Sequence, residues 1–289
     1  MPNKYYDMSM ALRGAEEFKE AIKSIHDIYV NTKKHPSFNM AISNMLWIVQ
    51  RGGGVTTMLN FFSEYLSSLK LHEFIGEEKF IEFKLGYNSA DEKFSELKRL
   101  DDIIKKIAGH RYDFRGVLCV NIDEWSEYST DAYFGDFLEF IAYNRNKIIT
   151  VFTLSPEIKK VVENIEAVIS SYMELGILKI NFPEPIELLD LIDKKYIKPK
   201  GFSFSDDAKE LLSIHIKSRI AGHSFDGFKN IERLAEGILI CAVQATKHNE
   251  IITAKILSPY FEKQLKQTNV LNNLKGNKKT IGFSERKEY

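Results

Sequence analysis

The chain has little cysteine: Cys119 and Cys241 are the only two among 289 residues. A disulfide framework is therefore excluded, and a reducing, cytoplasmic setting is expected. It also lacks an excess of either charge, since forty Lys and Arg face forty Asp and Glu. That balance argues against a broad nucleic-acid or membrane-surface footprint while leaving a local patch open. No apolar run approaches the roughly 18–20 residues that span a bilayer. The opening MPNKYYDMSM lacks the apolar stretch of a secretion signal. No internal repeat is visible. No Gly-x-Ser-x-Gly elbow occurs, so acyl transfer has no support. The histidines are scattered, and His215 and His223 have no Cys, Asp or Glu to complete a metal set. The Lys-rich stretches Lys194–Lys200 and Lys275–Lys279 read as solvated surface.

What is present is ample core material, with 44% of residues hydrophobic. Over residues 14–30, Phe18, Ile22, Ile25 and Ile28 recur at helical spacing, until His35-Pro36 breaks the pattern. The run MLWIV at 45–49 reads as a strand covered on both faces. Helical spacing returns over 56–71. A strand is expected at 79–83, then a charged helix at 91–108, then the strongest strand, VLCVNI, at 117–122. A helix over 131–143, a strand at 148–154, a helix near 157–172 and a strand at 177–182 follow. Five strands separated by helices predict an α/β fold with a doubly wound parallel sheet. Beyond Pro183-Glu184-Pro185 only helices are expected, over 186–196, 206–220, 227–246 and 251–267. Ser205 or Asp206 is a plausible cap for the second of these. The expected organisation is an N-terminal helical segment (1–40), an α/β domain (41–183), a small all-α domain (184–268) and a loose polar tail (269–289).

In an open parallel sheet, ligands bind beyond the carboxyl ends of the strands. Three polar signals fall there. The first is Gln50-Arg51-Gly52-Gly53-Gly54-Val55-Thr56-Thr57, between a strand and a helix. Glycines let backbone N–H groups close around an anion, and a hydroxyl at Thr56 suits a Mg²⁺ ligand. The phosphate-loop pattern G-x-x-x-x-G-K-[ST] fits incompletely. Its first glycine falls on Val49 and its lysine on Val55, while Gly54 and Thr56 match. A plain connecting turn would use the same residues. The second signal is Asp123-Glu124, which ends the strongest strand. One carboxylate suits the hydration shell of Mg²⁺ and the other an attacking water. Solvated acids capping a turn would look alike. The third is Thr153, before Ser155-Pro156, placed to touch a phosphate or to be an ordinary strand-end hydroxyl.

In this order, the glycine loop, the Asp-Glu strand end, the polar tip at Thr153 and the trailing helices resemble AAA+ ATPases. The resemblance runs from about Asn44 to Gln267. It is nearest to the group of the red-type rubisco activases and the stage V sporulation protein K. There, a strand like Gly116–Glu124 leads to an aromatic turn like Trp125–Tyr128. A Pro-acidic pair like Pro156-Glu157, a Phe-Pro like Phe182-Pro183, a lid segment like Gly201–Leu212 and a stretch like Gly227-Phe228-Lys229-Asn230 follow. The resemblance implies a sheet of order 5-1-4-3-2, ATP or ADP with Mg²⁺ held between the large domain and a helical lid, and ring assembly. It gives Glu124, Asp123 and Thr153 catalytic roles, and Gly52, Gly53, Gly54, Val55, Thr56, Thr57 and Asn230 nucleotide contacts. Thr56 and Asp123 would face the metal.

The departures from the family pattern are cationic. The loop lysine is Val55, the arginine finger falls on Tyr172, and the sensor arginine falls on Asn230, although Lys229 and Arg233 lie close. An arginine finger alone is worth roughly 10³–10⁵ in rate. The expectation is therefore a weakly or non-hydrolysing assembly subunit. It would pack on itself or on a related AAA+ subunit, with Tyr5, Tyr6, Tyr128, Tyr133 and Tyr172 as candidate contact residues. One alternative is a working ATPase drawing cations from Arg51, Lys229 or Arg233. Another is a nucleic-acid-associated ATPase-like protein of a mobile element or defence system.

Overall fold

The computed structural model describes residues 3–12, 14–33, 42–75, 78–86, 114–126, 128–156, 159–221, 225–245 and 251–264. The expected helix at 91–108, the break at His35-Pro36, His223 and the tail at 269–289 lie outside the described residues. Five strands form one parallel sheet in the order β2-β3-β4-β1-β5. They are β1 (Asn44–Val49), β2 (Phe80–Lys84), β3 (Gly116–Asn121), β4 (Ile148–Leu154) and β5 (Leu175–Ile180). The sheet order is the expected one.

Side chains alternate across a strand, and this alternation divides the core into two layers. Leu46 and Ile48 of β1, Ile81 and Phe83 of β2, Leu118 and Val120 of β3, and Phe152 and Leu154 of β4 share one face. Helices α4 (Ala132–Tyr143) and α5 (Lys159–Tyr172) cover it through Phe134, Phe137, Ile165 and Ile169. Trp47, Val49, Val117, Cys119, Ile149 and Val151 share the other face. Helices α2 (Glu16–Thr32) and α3 (Val55–Leu69) cover that one through Phe18, Ile22, Leu59 and Phe62. Both β1 and β4 are buried on both sides, which is why they read as continuous apolar runs. At the amino edge, the buried Asn44 side chain accepts the Thr150 N–H at 2.9 Å and ties β1 to β4.

The N-terminal segment is part of this layer. Helix α1 (Lys4–Met10) is capped by Asn3, whose Oδ1 accepts the Tyr5 N–H at 3.0 Å, and it packs on α3. Tyr6 stacks on His26 with ring centroids 4.3 Å apart. Tyr133 stacks on the buried Trp125 at 5.6 Å. These two tyrosines are therefore engaged within the chain.

The contacts divide the chain into two compact units, Met1–Pro183 with Asp226–Phe228, and Glu184–Phe225 with Lys229–Tyr289. In the second unit, α6 (Pro185–Leu191) starts on Pro185 at its first turn, and the Glu187 carboxylate accepts the Glu184 N–H at 2.8 Å. The helix then widens into one π-type turn over Ile192–Ile197, so the expected helix over 186–196 is not regular throughout. Helices α7 (Asp206–Ile220), α8 (Phe228–Ala245) and α9 over 254–264 follow. The expectation of helices alone is corrected here. Ser203–Phe204 (β6) and Ile251–Ile252 (β7) form a short parallel pair. Two residues are too few to show an alternating pattern. No helix among the described residues is long and apolar enough to cross a membrane.

His215 of α7 is buried, stacked on Phe261 with centroids 4.0 Å apart, and its Nε2 accepts from Arg219 Nε at 2.9 Å. Burial, and then the adjacent guanidinium, holds its pKa down to about 4 from an ordinary 6.5. The folded value lies below the unfolded one. Its contribution is therefore complete above the unfolded value and is lost as pH falls toward the folded one. The thermal midpoint of the chain is expected to fall with acidification between pH 6.5 and 4. His215→Gln, which keeps an acceptor for Arg219 and does not titrate, flattens that fall. Equal slopes for the two proteins would contradict the assignment.

Candidate functional site

The site begins where β1 ends. Val49 is followed by a turn and by the first residue of α3, Val55. Gly52 and Gly54 have φ of +73° and +86°, which side chains rarely adopt. The Gly53 N–H donates to the Gln50 carbonyl at 2.8 Å, tightening the turn on itself. Gly54 is the N-cap of α3 and, having no side chain, supplies no cap. The outer side of the turn is covered by residues 226–228 of the same unit. The Phe228 N–H donates to the Gly52 carbonyl at 3.1 Å. A Cβ on Gly227 would stand 2.2 Å from that carbonyl oxygen, so backbone meets backbone there and both positions need glycine. The Phe228 ring lies over Gly54 and against Phe182. Arg51, largely exposed, has its Nε 3.8 Å from the Asp226 carboxylate.

The inner side of the turn opens into a cavity of about 550 Å³ beyond the carboxyl ends of the strands. Arg51, Gly52 and Val55 of the turn line it, with Glu82 and Lys84 of β2, Cys119, Asn121 and Asp123 of β3 and its end, and Thr153 and Ser155 of β4 and its end. The alternation of the core explains this set. Cys119 and Val151 lie on the α3 face, so Asn121 and Thr153, each two residues further, return to it. Glu82 and Lys84 do so too, because Ile81 and Phe83 take the opposite face. Burial, and secondarily the Glu82 carboxylate, pushes the Cys119 thiol up, which keeps it protonated.

The polar groups of the site bond to one another. The Thr56 hydroxyl donates to the Glu82 carboxylate, 3.0 Å from either oxygen. Asp123 Oδ1 accepts the Ser155 N–H at 2.7 Å, and its Oδ2 accepts the Ser155 hydroxyl at 3.0 Å and Asn121 Nδ2 at 3.1 Å. Asn121 Nδ2 also reaches Thr153 Oγ1 at 3.4 Å, and the Ile122 N–H donates to the Thr153 carbonyl at 3.0 Å. Glu124 forms an ion pair with Lys84. Among the sequence-derived candidates, Gly52, Val55, Asp123 and Thr153 line the cavity. Thr56 joins them through Glu82, and Glu124 through Lys84. Gly53 lies inside the turn, Thr57 is exposed on α3, and Asn230 lies on α8 in the second unit. Tyr172, at the end of α5, sits over α4, where a Cβ on Gly135 would stand 2.8 Å from its hydroxyl oxygen.

Sequence reasoning missed Glu82, Lys84 and Asn121. The signal was present in the stretch FIEFK, where two charges at alternate positions mark one face of a strand. What places that face beside α3 is the sheet order. The oxygen donors Thr56, Glu82 and Asp123 suit a hard cation such as Mg²⁺, which retains waters and takes few protein ligands. No cluster of three or more His, Cys, Asp or Glu able to hold a metal occurs among the described residues.

Asp123→Ala removes the acceptor for the Ser155 N–H and hydroxyl. It is expected to destabilise the first unit by about 1–3 kcal/mol, measured by urea unfolding in the presence of a chelator. An unchanged unfolding midpoint would contradict the bonding described for Asp123.

No protein-family model matches this chain, and no curated protein matches it.

Proposed function

We propose that this chain is an AAA+-like module that binds a nucleoside triphosphate weakly at the carboxyl edge of its sheet and acts through assembly, without efficient hydrolysis. The observation that carries the reading is the state of the groups hydrolysis would need. Thr56 and Asp123 are each bonded to a neighbour in the same unit, to Glu82 and Ser155 respectively. Val55 supplies no charge at the first position of α3. Loss of one charge-assisted hydrogen bond weakens binding by roughly ten- to a hundred-fold, so a shaped but weak site is the expected result.

In this reading Gly52 and Val55, with Thr56 and Thr57 behind them, form the degenerate phosphate side. ATP or ADP, as its Mg²⁺ complex, is the ligand, and a second copy or a related AAA+ subunit is the partner. The residues available at the cavity, two cations and two carboxylates, fit a polyphosphate whose charge is already partly neutralised by a divalent ion.

Calorimetric titration of the whole chain with ATP tests the reading. Heat of binding is expected with Mg²⁺ and is expected to shrink on its removal. Phosphate release stays at background, and Glu124→Gln does not change it. Steady ATP turnover that Glu124→Gln abolishes would overturn the non-hydrolysing reading.

A further inference from the structure

We infer, resting on that reading, that Lys84 of β2 is the polyphosphate-binding cation of the cavity. Glu124 is its internal counter-ion, released when a nucleoside triphosphate enters as its divalent-cation complex. Three observations converge on Lys84. It lines the cavity together with Gly52 and Val55. It lies on the same strand face as Glu82, two residues nearer the carboxyl edge, and the Glu82 carboxylate holds the Thr56 hydroxyl at 3.0 Å. That face of β2 therefore looks onto the first turn of α3, where Val55 leaves the usual lysine position without charge. The flexible four-carbon stem of lysine lets an ammonium on a neighbouring strand reach a point that a valine on the helix cannot serve.

The partner of Lys84 makes the exchange inexpensive. The Lys84 and Glu124 side chains are 64% and 41% exposed. An exposed ion pair of this kind contributes little, so an anion carrying several charges can replace the single carboxylate. Arg51, the other cation among the described lining residues, lies on the turn itself and is the more exposed of the two. Its Nε lies 3.8 Å from Asp226, and its side chain is 84% exposed. Among the described residues, the charges that line the cavity, Arg51 and Lys84 against Glu82 and Asp123, sum to zero. A bare polyanion gains no net field there, whereas a divalent complex of a triphosphate gains Lys84 on the phosphates and the carboxylates on the metal side.

The test is equilibrium binding of a fluorescent non-hydrolysable ATP analogue with Mg²⁺ to the full chain, in a double-mutant cycle. Lys84→Met is expected to weaken binding about ten- to a hundred-fold, and Lys84→Arg to recover part of it. Glu124→Gln is expected to tighten binding several-fold in the natural chain and to have no effect once Lys84→Met is present. The non-hydrolysable analogue separates this coupling from any effect on turnover. If the natural chain binds the analogue but Lys84→Met binds equally well, or Glu124→Gln acts the same in both backgrounds, the role of Lys84 is overturned while the cavity remains a nucleotide site. If the natural chain binds no analogue at millimolar concentration, the reading of the cavity fails, and the inference with it.

Discussion

The carboxylate of Asp123 holds the two central strand tips together. The ladder between β3 and β4 ends at Asn121 and Thr153, and beyond it the backbone adds the bond from the Ile122 N–H to the Thr153 carbonyl. The Asp123 side chain extends the join further, accepting the Ser155 N–H and hydroxyl across the gap while Asn121 bridges it to Thr153. Those tips line the cavity together with Val55 of α3 and Glu82 and Lys84 of β2. Charge-assisted hydrogen bonds of this kind are the strong ones. A residue read from sequence as metal-facing is thus also an element of architecture.

The sequence was legible where burial is complete and illegible where contact is long-range. The runs MLWIV and IITVFTL became β1 and β4, because strands covered on both faces must be apolar at every position. The glycine turn and the Asp-Glu end fell at the carboxyl edge as expected, since alternating strands and helices leave a parallel sheet little topological choice. The interactions of Glu82 and Lys84 were not legible. Their partners, Thr56 and Glu124, are distant in the chain, and only the order β2-β3-β4-β1 brings all of them to one edge. The strap at 226–228 was invisible for the same reason. Gly227 gives no sign in isolation that it meets Gly52 backbone to backbone. The pairing of β6 with β7 is shorter than any periodic signal.

The site therefore combines a tight glycine turn with polar groups that are already satisfied. Gly52 and Gly54, both at positive φ, form the tight turn that leads into α3. Yet the hydroxyl, the two acids and the outer carbonyl of the turn all have partners in the same unit. Such an arrangement is stable without ligand. It favours a ligand that exchanges one weak surface ion pair over one that must break the Asp123 bonds. This is the physical basis for proposing binding without efficient hydrolysis.

The central claim is that a triphosphate enters the cavity at the carboxyl edge and nowhere else on the chain. Backbone amide resonances, followed during titration with the Mg²⁺ complex of a non-hydrolysable ATP analogue, test it most directly. The account predicts shifts concentrated at residues 51–56, 82–84, 119–124 and 153–155, the segments that surround the cavity. Shifts confined to other segments, or none at saturating ligand, would contradict it.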